Sequence, residues 1–187
     1  MIIAETDRLI IRNWRDEDRG LFFEINSDET VMEFFPFRRN RAEADELFDH
    51  VQALIADTGF GFYALELKAG GDVIGFCGLA KTNHLEPYVA AGTVEIGWRL
   101  ASRYWGKGLA TEAARTLLSY GFGQLGLDQI VSFAVHDNQR STSVMERIGL
   151  RRVAGADFDH PRVPDTHPHL KRHVLYRLTA EEWRNRQ

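Results

Sequence analysis

The segment from Thr93 to Val135 restricts the possible folds more than any other part of the chain. It reads as a strand (Thr93–Leu100, TVEIGWRL), a basic turn with two glycines, a helix (Gly108–Gly123) and a second strand (Gln129–Val135, QIVSFAV). The helix carries small and apolar residues at Ala110, Ala113, Ala114, Leu117 and Leu118, the pattern of a packed face. Strand, crossover helix and returning strand make a βαβ unit, whose two strands run parallel. Whatever sheet the chain builds should therefore contain a parallel pair.

The flanking sequence supplies antiparallel partners. Arg8 to Trp14 is apolar and β-branched enough for a first strand. Asp16, Glu17 and Asp18 then open a helix to about Ser27, with acids set against its positive end. Pro36 ends whatever structure holds Val31 to Phe35. Arg41 to Ala56 reads as a second helix with Ala44, Leu47, Val51, Leu54 and Ile55 on one face. Phe62–Leu67, a turn at Gly70-Gly71-Asp72 and Val73–Leu79 give a hairpin, and 82–92 a loop. Gln139 to Ile148 is a short helix that Gly149 can cap. Two strands are expected near Arg151–Phe158 and His173–Leu178, with a Pro- and His-rich loop between them. Thr179-Ala180-Glu181-Glu182 is a capping box for a short terminal helix. The order predicts an α/β or α+β fold with a partly antiparallel sheet.

Length and composition set the class. A chain of 187 residues, 44% hydrophobic and 27% charged, fits one soluble domain spanning residues 1–187. The net charge of -4 argues against a protein that coats nucleic acid. The single cysteine, Cys77, excludes an intrachain disulfide and points to a reducing compartment. Neither a bilayer-spanning apolar run nor a secretion signal is visible, so the expected location is the cytoplasm, with no membrane partner.

The turn after Leu100 is the first candidate site. Arg103-Tyr104-Trp105-Gly106-Lys107-Gly108-Leu109-Ala110-Thr111 joins a strand to a helix. Glycines at 106 and 108 allow a tight turn and close approach of a ligand. The free amides and dipole of the helix start attract anions. Arg103 and Lys107 add positive charge. Two readings stand: a pyrophosphate cradle, or an ordinary strand-to-helix turn that happens to be basic. A P-loop is excluded, because Gly106-Lys107 is followed by Gly108 rather than Ser or Thr. Gly121-Phe122-Gly123-Gln124-Leu125-Gly126 matches a dinucleotide pattern literally, but it ends a helix instead of opening one, and reads as a helix stop.

Four segments in order make the chain resemble a GNAT-superfamily N-acetyltransferase, similar to the RimJ and RimL ribosomal-protein acetyltransferases. They are Thr6–Arg12, Val94-Glu95-Ile96-Gly97-Trp98, Arg103-x-x-Gly106-x-Gly108-x-Ala110, and Asn138-x-x-Ser141 followed by Gly149-Leu150. The resemblance covers nearly the whole chain. It implies a mixed, mostly antiparallel sheet flanked by helices, with central parallel strands that splay to admit a thioester. It implies acetyl-CoA as cosubstrate, its pyrophosphate on the amides of Lys107, Gly108, Leu109, Ala110 and Thr111. It places the pantetheine arm along Ile96, Gly97, Trp98, Arg99 and Leu100, with Asn138 touching that arm from the next helix. Relatives are often dimers, so a homodimer is expected.

The implied reaction is attack of a neutral amine on the acetyl carbonyl. Holding two reactants together can supply up to ~7–11 kcal/mol of the barrier. Glu95 is the candidate base, directly or through a water; the alternative is a carboxylate on the wetter sheet face. Ser141 is the candidate thiol donor, against an ordinary role in the first turn of its helix. Where the superfamily often has tyrosine, seven residues after the asparagine, this chain has Met145, which cannot donate a proton. His136 and His160 are alternative bases. His167 and His169 lack ligand partners at useful spacing, so no metal is expected. Cys77 reads as core. Phe34, Phe35 and Phe37 also read as core, with lining of an acceptor cleft as the alternative. An α-amine, with a pKa of ~7.7–8.0 against ~10.4 for lysine, suits a weak base. The acceptor is thus a protein N-terminus, or in the alternative an amino acid, polyamine or antibiotic; Met145 in place of tyrosine leaves a CoA-binding regulatory module without turnover as the non-enzyme alternative.

Overall fold

The computed structural model describes residues 1–186. The chain forms two compact units, one from Met1–Leu79 and Gly97–Leu117, the other from Ala80–Ile96 and the residues from Leu118 onward.

In the first unit, β1 (Ile2–Glu5), β2 (Leu9–Arg12), β3 (Gly61–Leu67) and β4 (Val73–Thr82, here as far as Leu79) pair antiparallel in that order. The end of β5 (Thr93–Leu100) follows β4, and the Ala101 amide donates to the Ile74 carbonyl at 3.0 Å. Strand β1 was not foreseen. It is a four-residue edge strand, Ile-Ile-Ala-Glu, too short to show an alternation of apolar and polar residues. Two helices complete the unit, α1 (Arg19–Ser27) and α2 (Arg41–Thr58). The acids before α1 open it as expected, and one of them has a second partner. Asp16–Asp18 form a 3-10 turn, and the buried Asp18 takes two hydrogen bonds from the buried Arg12 guanidinium, at 2.7 and 3.1 Å. Arg12 also donates to Glu66 at 2.6 Å. A buried cation is tolerated only with such partners, so Asp18 neutralises a strand residue, and its Oδ2 also accepts from the Arg15 amide at 2.8 Å, capping the turn.

Asn40 and Glu43 close the capping box of α2, each side chain accepting from the other's amide, at 3.0 and 2.9 Å. Its buried stripe is Ala44, Phe48 and Ile55, while Leu54 of the expected face is exposed. Phe48 meets Trp14 and Phe22 edge-on, with ring centroids 5.7 and 5.3 Å away.

In the second unit the first half of β5 pairs parallel with β6 (Gln129–Val135), through Val94↔Ile130 and Glu95↔Val131. The parallel crossover read from the sequence is present. The Ile96 carbonyl accepts instead from the Ser132 hydroxyl, at 2.8 Å. The strand expected over Arg151–Phe158 is two short pieces, β7 (Arg151–Arg152) and β8 (Phe158–Asp159), both antiparallel to β9 (Arg172–Thr179). Gly155 turns the chain between them, and Arg152 pairs with Asp157 at 2.5 Å across the turn. β9 itself runs antiparallel to β6 over its full length. Leu85, Val89, Val131, Phe158 and Leu175 form the core here, beside the short helices α4 (Gln139–Arg147) and α5 (Ala180–Arg184). The capping box at Thr179 is present.

Helix α3 (Leu109–Gly123) begins in the first unit, where Leu109, Ala113, Ala114 and Leu117 are buried. Among the described residues no helix is long and apolar enough to cross a membrane.

Candidate functional site

The turn between β5 and α3 is built as an open cradle. Gly106 and Gly108 have φ of 74° and 75°, the left-handed region that glycine enters without strain. Both glycines and Lys107 are exposed. A side chain on Gly106 would meet nothing within 4 Å, and one on Gly108 only the tip of Arg8 at 3.7 Å. The first bond of the helix runs from the Glu112 amide to the Gly108 carbonyl, at 3.0 Å. The amides of Leu109, Ala110 and Thr111 therefore lie ahead of the helical ladder, as donors for an anion. Leu109 is buried and anchors the turn, whereas Ala110 and Thr111 are partly exposed.

A brace beneath this turn escaped sequence reading. Arg8, just before β2, donates through Nη1 to the Lys107 carbonyl at 3.0 Å and through Nε to Glu112 at 2.6 Å. Thr6 donates to the same carboxylate at 2.6 Å. Partial burial pushes the Glu112 carboxyl up, but the bonds from Thr6 and Arg8 outweigh it and hold the group below its ordinary range. Arg103 is engaged elsewhere: it pairs with Glu24 of α1 and lies over the Tyr104 ring at 5.0 Å. Lys107 Nζ stands 5.4 Å from the same ring centre.

The end of β5 is fixed by its surroundings. Trp105 Nε1 donates to the Leu100 carbonyl at 2.8 Å. Leu100 is buried, and Trp98 is half-buried. A Cβ on Gly97 would come within 3.0 Å of the Phe62 ring. Arg99 reaches Asn26 of α1, Nη1 to Oδ1, at 2.7 Å, and stacks on Phe35. Phe35 and Phe37 are 36% and 43% exposed, which corrects the expectation that they are core.

In the second unit Arg162 bears on both Glu95 and a cluster of histidines. Burial pushes the Glu95 carboxyl up to about 7, and the nearby Arg162 only partly offsets that. Burial also lowers His160, to about 4, with His173, His84 and Arg162 adding repulsion. The His160 ring lies 4.8 Å from His173 and 5.9 Å from His84. Its Nδ1 accepts from the Arg162 amide at 3.2 Å, so a neutral His160 carries its proton on Nε2. His173 has the opposite arrangement, with Nδ1 against the Lys171 carbonyl at 2.8 Å. Phe133, Phe158 and Tyr88 pack alongside, Tyr88 stacked on Phe158 at 5.1 Å. Sequence reading did not single out Arg162, His84 or Tyr88. They come from two loops and show no local pattern.

Asn138 and Ser141 come together at the start of α4. The Asn138 side chain caps the helix, accepting from the Ser141 amide at 3.1 Å. Met145 is buried. His136 pairs with Asp137 at 2.9 Å on the surface. Cys77 is buried, and burial raises its thiol well above the ordinary value, so it is inert core. Among the described residues no three metal-binding side chains converge.

A family model for the acetyltransferase (GNAT) domain matches residues 8–151. The uncharacterized N-acetyltransferase YnaD of Bacillus subtilis (strain 168) is 33% identical over 178 residues, 95% of this chain and 97% of that one. The chain belongs to the GNAT acetyltransferase family. It is an acyl-CoA-dependent N-acetyltransferase with the GNAT fold: a mostly antiparallel sheet with one parallel pair, flanked by helices. The FsC-acetyl coenzyme A-N(2)-transacetylase of Aspergillus fumigatus is 29% identical over 182 residues, 95% of this chain and 76% of that one. The crystal structure of a GNAT-family acetyltransferase from Bacillus anthracis superposes with a TM-score of 0.78, at 26% identity, covering 97% of this chain and 100% of that one.

Proposed function

We propose that this enzyme moves an acetyl group from acetyl-CoA to an α-amine, in the manner of the RimJ and RimL group. The observation that carries the donor half is the open cradle at Gly106–Thr111, whose glycine geometry and unladdered amides suit a pyrophosphate. The similarity to an acetyl coenzyme A transacetylase supports acetyl as the acyl group. The pantetheine arm lies along the Ile96–Leu100 segment of β5, and a backbone N–H of that strand polarises the acetyl carbonyl.

Glu95 is the base. A carboxyl near 7 is half ionised at neutral pH, the condition that favours proton transfer in both directions. His160, near 4, is neutral there but a much weaker base. The carboxylate takes a proton as the amine nitrogen bonds to the carbonyl carbon. Collapse of the tetrahedral intermediate breaks the carbon–sulfur bond, and the thiolate is protonated to give CoA and the amide. Ser141 is the group assigned to pass that last proton to the sulfur, taking one from solvent as it does so.

The strength of the base bears on the acceptor. Making an α-amine neutral at pH 7 costs ~1.0–1.4 kcal/mol, against nearly ~5 kcal/mol for lysine. A base near 7 suits the former. The test is thiol release from acetyl-CoA with peptides bearing free N-termini, blocked lysine peptides, polyamines, amino acids and aminoglycosides. Release should follow α-amine acceptors. Release with lysine peptides or polyamines alone would reject the α-amine assignment.

A further inference from the structure

Arg99 and Arg39, both in the first unit, are placed as no ordinary structural arginines are. Arg99 is stacked between Phe35 and Phe76, its guanidinium carbon 4.3 and 5.3 Å from their ring centres. Its one side-chain hydrogen bond goes to Asn26 Oδ1 at 2.7 Å, and Asn26 is neutral and buried. Arg39 follows the same loop, its guanidinium 4.9 Å from the centre of Phe37 and its amide on the Asn26 carbonyl at 2.9 Å. The Nε of each arginine is buried without a hydrogen-bond partner, and among the described residues no carboxylate pairs with either. The two cations are close enough for Arg39, after burial itself, to pull the Arg99 guanidinium down.

Two like charges sharing an apolar cradle with no counter-charge is an expensive arrangement. Arg12, on β2 of the same unit, is solved in the ordinary way, with Asp18 and Glu66. Planar guanidiniums with unspent N–H groups match a carboxylate, which accepts from both prongs of the fork. The aromatic walls suit an apolar body attached to it. Phe35 and Phe37 stand exposed at the rim, so the cradle is open to solvent.

We propose that Arg99 and Arg39 form a carboxylate pocket that recognises an acidic group on the acceptor. The acceptor class is thus an α-amine compound that also bears a carboxylate, and a polyamine, being cationic throughout, is repelled. This rests on the acetyl-transfer reading only for the identity of the ligand as acceptor. Acetyl-CoA has its anions, the pyrophosphate and the ribose 3′-phosphate, at its nucleotide end; Arg99 belongs to the β5 segment assigned to the pantetheine arm, which carries none, so an anion here falls to the other substrate.

The test separates the two readings. Binding of benzoate and of its neutral isostere benzamide to the wild-type protein, without acetyl-CoA, is measured by calorimetry. Benzoate should bind ~10–100-fold more tightly, the range of a charge-assisted hydrogen bond. Arg39→Gln and Arg99→Gln should each remove that preference, with folding checked by circular dichroism. Equal affinity for the two probes, no benzoate binding, or a preference that survives in both folded variants overturns the pocket, whether or not any acceptor turns over. With turnover, the tripeptide Ala-Ala-Ala, its C-terminal amide and Ala-Asp-Ala amide say where the carboxylate sits. A lower KM for the first places it at a chain terminus and for the third on a side chain. Equal KM for all three overturns the acceptor assignment even if benzoate binds.

Discussion

Arg8 Nε donates to Glu112 Oε2 at 2.6 Å, tying the entry of β2 to the first turn of α3 across 104 residues of sequence. The same guanidinium holds the Lys107 carbonyl, so one side chain fixes both the turn and the helix that follows it. Arg8 is half exposed, which limits the pair's contribution to stability to about 0.5–1 kcal/mol. Its larger effect is on the cradle. Arg8→Met should weaken acetyl-CoA binding by about 3–10-fold, a loss of ~1 kcal/mol in preorganisation, with a small fall in Tm. Glu112→Gln should do the same, because it keeps the shape but loses the charge that Arg8 and Thr6 address. Calorimetric titration of both variants checks this, and unchanged affinity would mean that the glycines alone shape the turn.

Gly108 offers a cleaner test of where the phosphates go. Its φ of 75° strains any side chain, but asparagine and aspartate tolerate that region best and by similar amounts. The built Cβ meets only Arg8 Nη2, at 3.7 Å, so neither replacement is blocked by packing. Gly108→Asn and Gly108→Asp then differ chiefly in charge. The aspartate should bind acetyl-CoA at least ~10-fold more weakly than the asparagine, and the gap should shrink in high salt. Equal affinities would place the pyrophosphate elsewhere.

Glu95, as the proposed base, fixes the pH dependence expected of turnover. As the base it must be ionised, so kcat should rise with pH through about 7 and level above it. Glu95→Gln should lower kcat by ~10²–10⁴-fold and abolish that limb, while acetyl-CoA affinity stays near the wild-type value. A variant that keeps the same rising limb would transfer the role to another group, His136 being the exposed alternative.

The sequence and the structure agree best where pattern is local. Thr93–Leu100 and Gln129–Val135 were placed to the residue because turns punctuate both ends of each strand. The glycine turn between β5 and α3 was legible because glycines and basic residues are close together there. What stayed hidden depends on distant pairing. Asp18 reads as a helix-opening acid, which it is, but its second partner, the buried Arg12, shows no local pattern. Phe35 and Phe37 look like core because hydrophobicity does not reveal that Arg39 and Arg99 stack on them. Arg162 and His84 lie in separate loops, and only folding shows that both bear on the charge of His160. Asn138 was read as a cofactor contact and Ser141 as a thiol donor or an ordinary first-turn residue; the structure shows the Asn138 side chain capping the helix on the Ser141 amide.

The shifted carboxyl also has a consequence for stability. Glu95 is raised from 4.5 to about 7 in the folded protein, so between those values the folded state holds a proton that the unfolded chain has released. Stability from this group is present below about 4.5 and is lost as pH rises through about 7, a swing on the order of 1–3 kcal/mol. His160 acts in the opposite sense. It is lowered from 6.5 to about 4, so its contribution is present above 6.5 and lost as pH falls. The two slopes oppose each other through the mildly acidic range. Glu95→Gln removes one of them, so the variant should gain stability relative to wild type as pH rises from 5 to 8, while His160→Phe should gain as pH falls from 7 to 4. Urea unfolding of the three proteins at matched pH values measures both trends. Parallel curves for wild type and Glu95→Gln would mean that the carboxyl is not held protonated, and the base assignment would lose its energetic support.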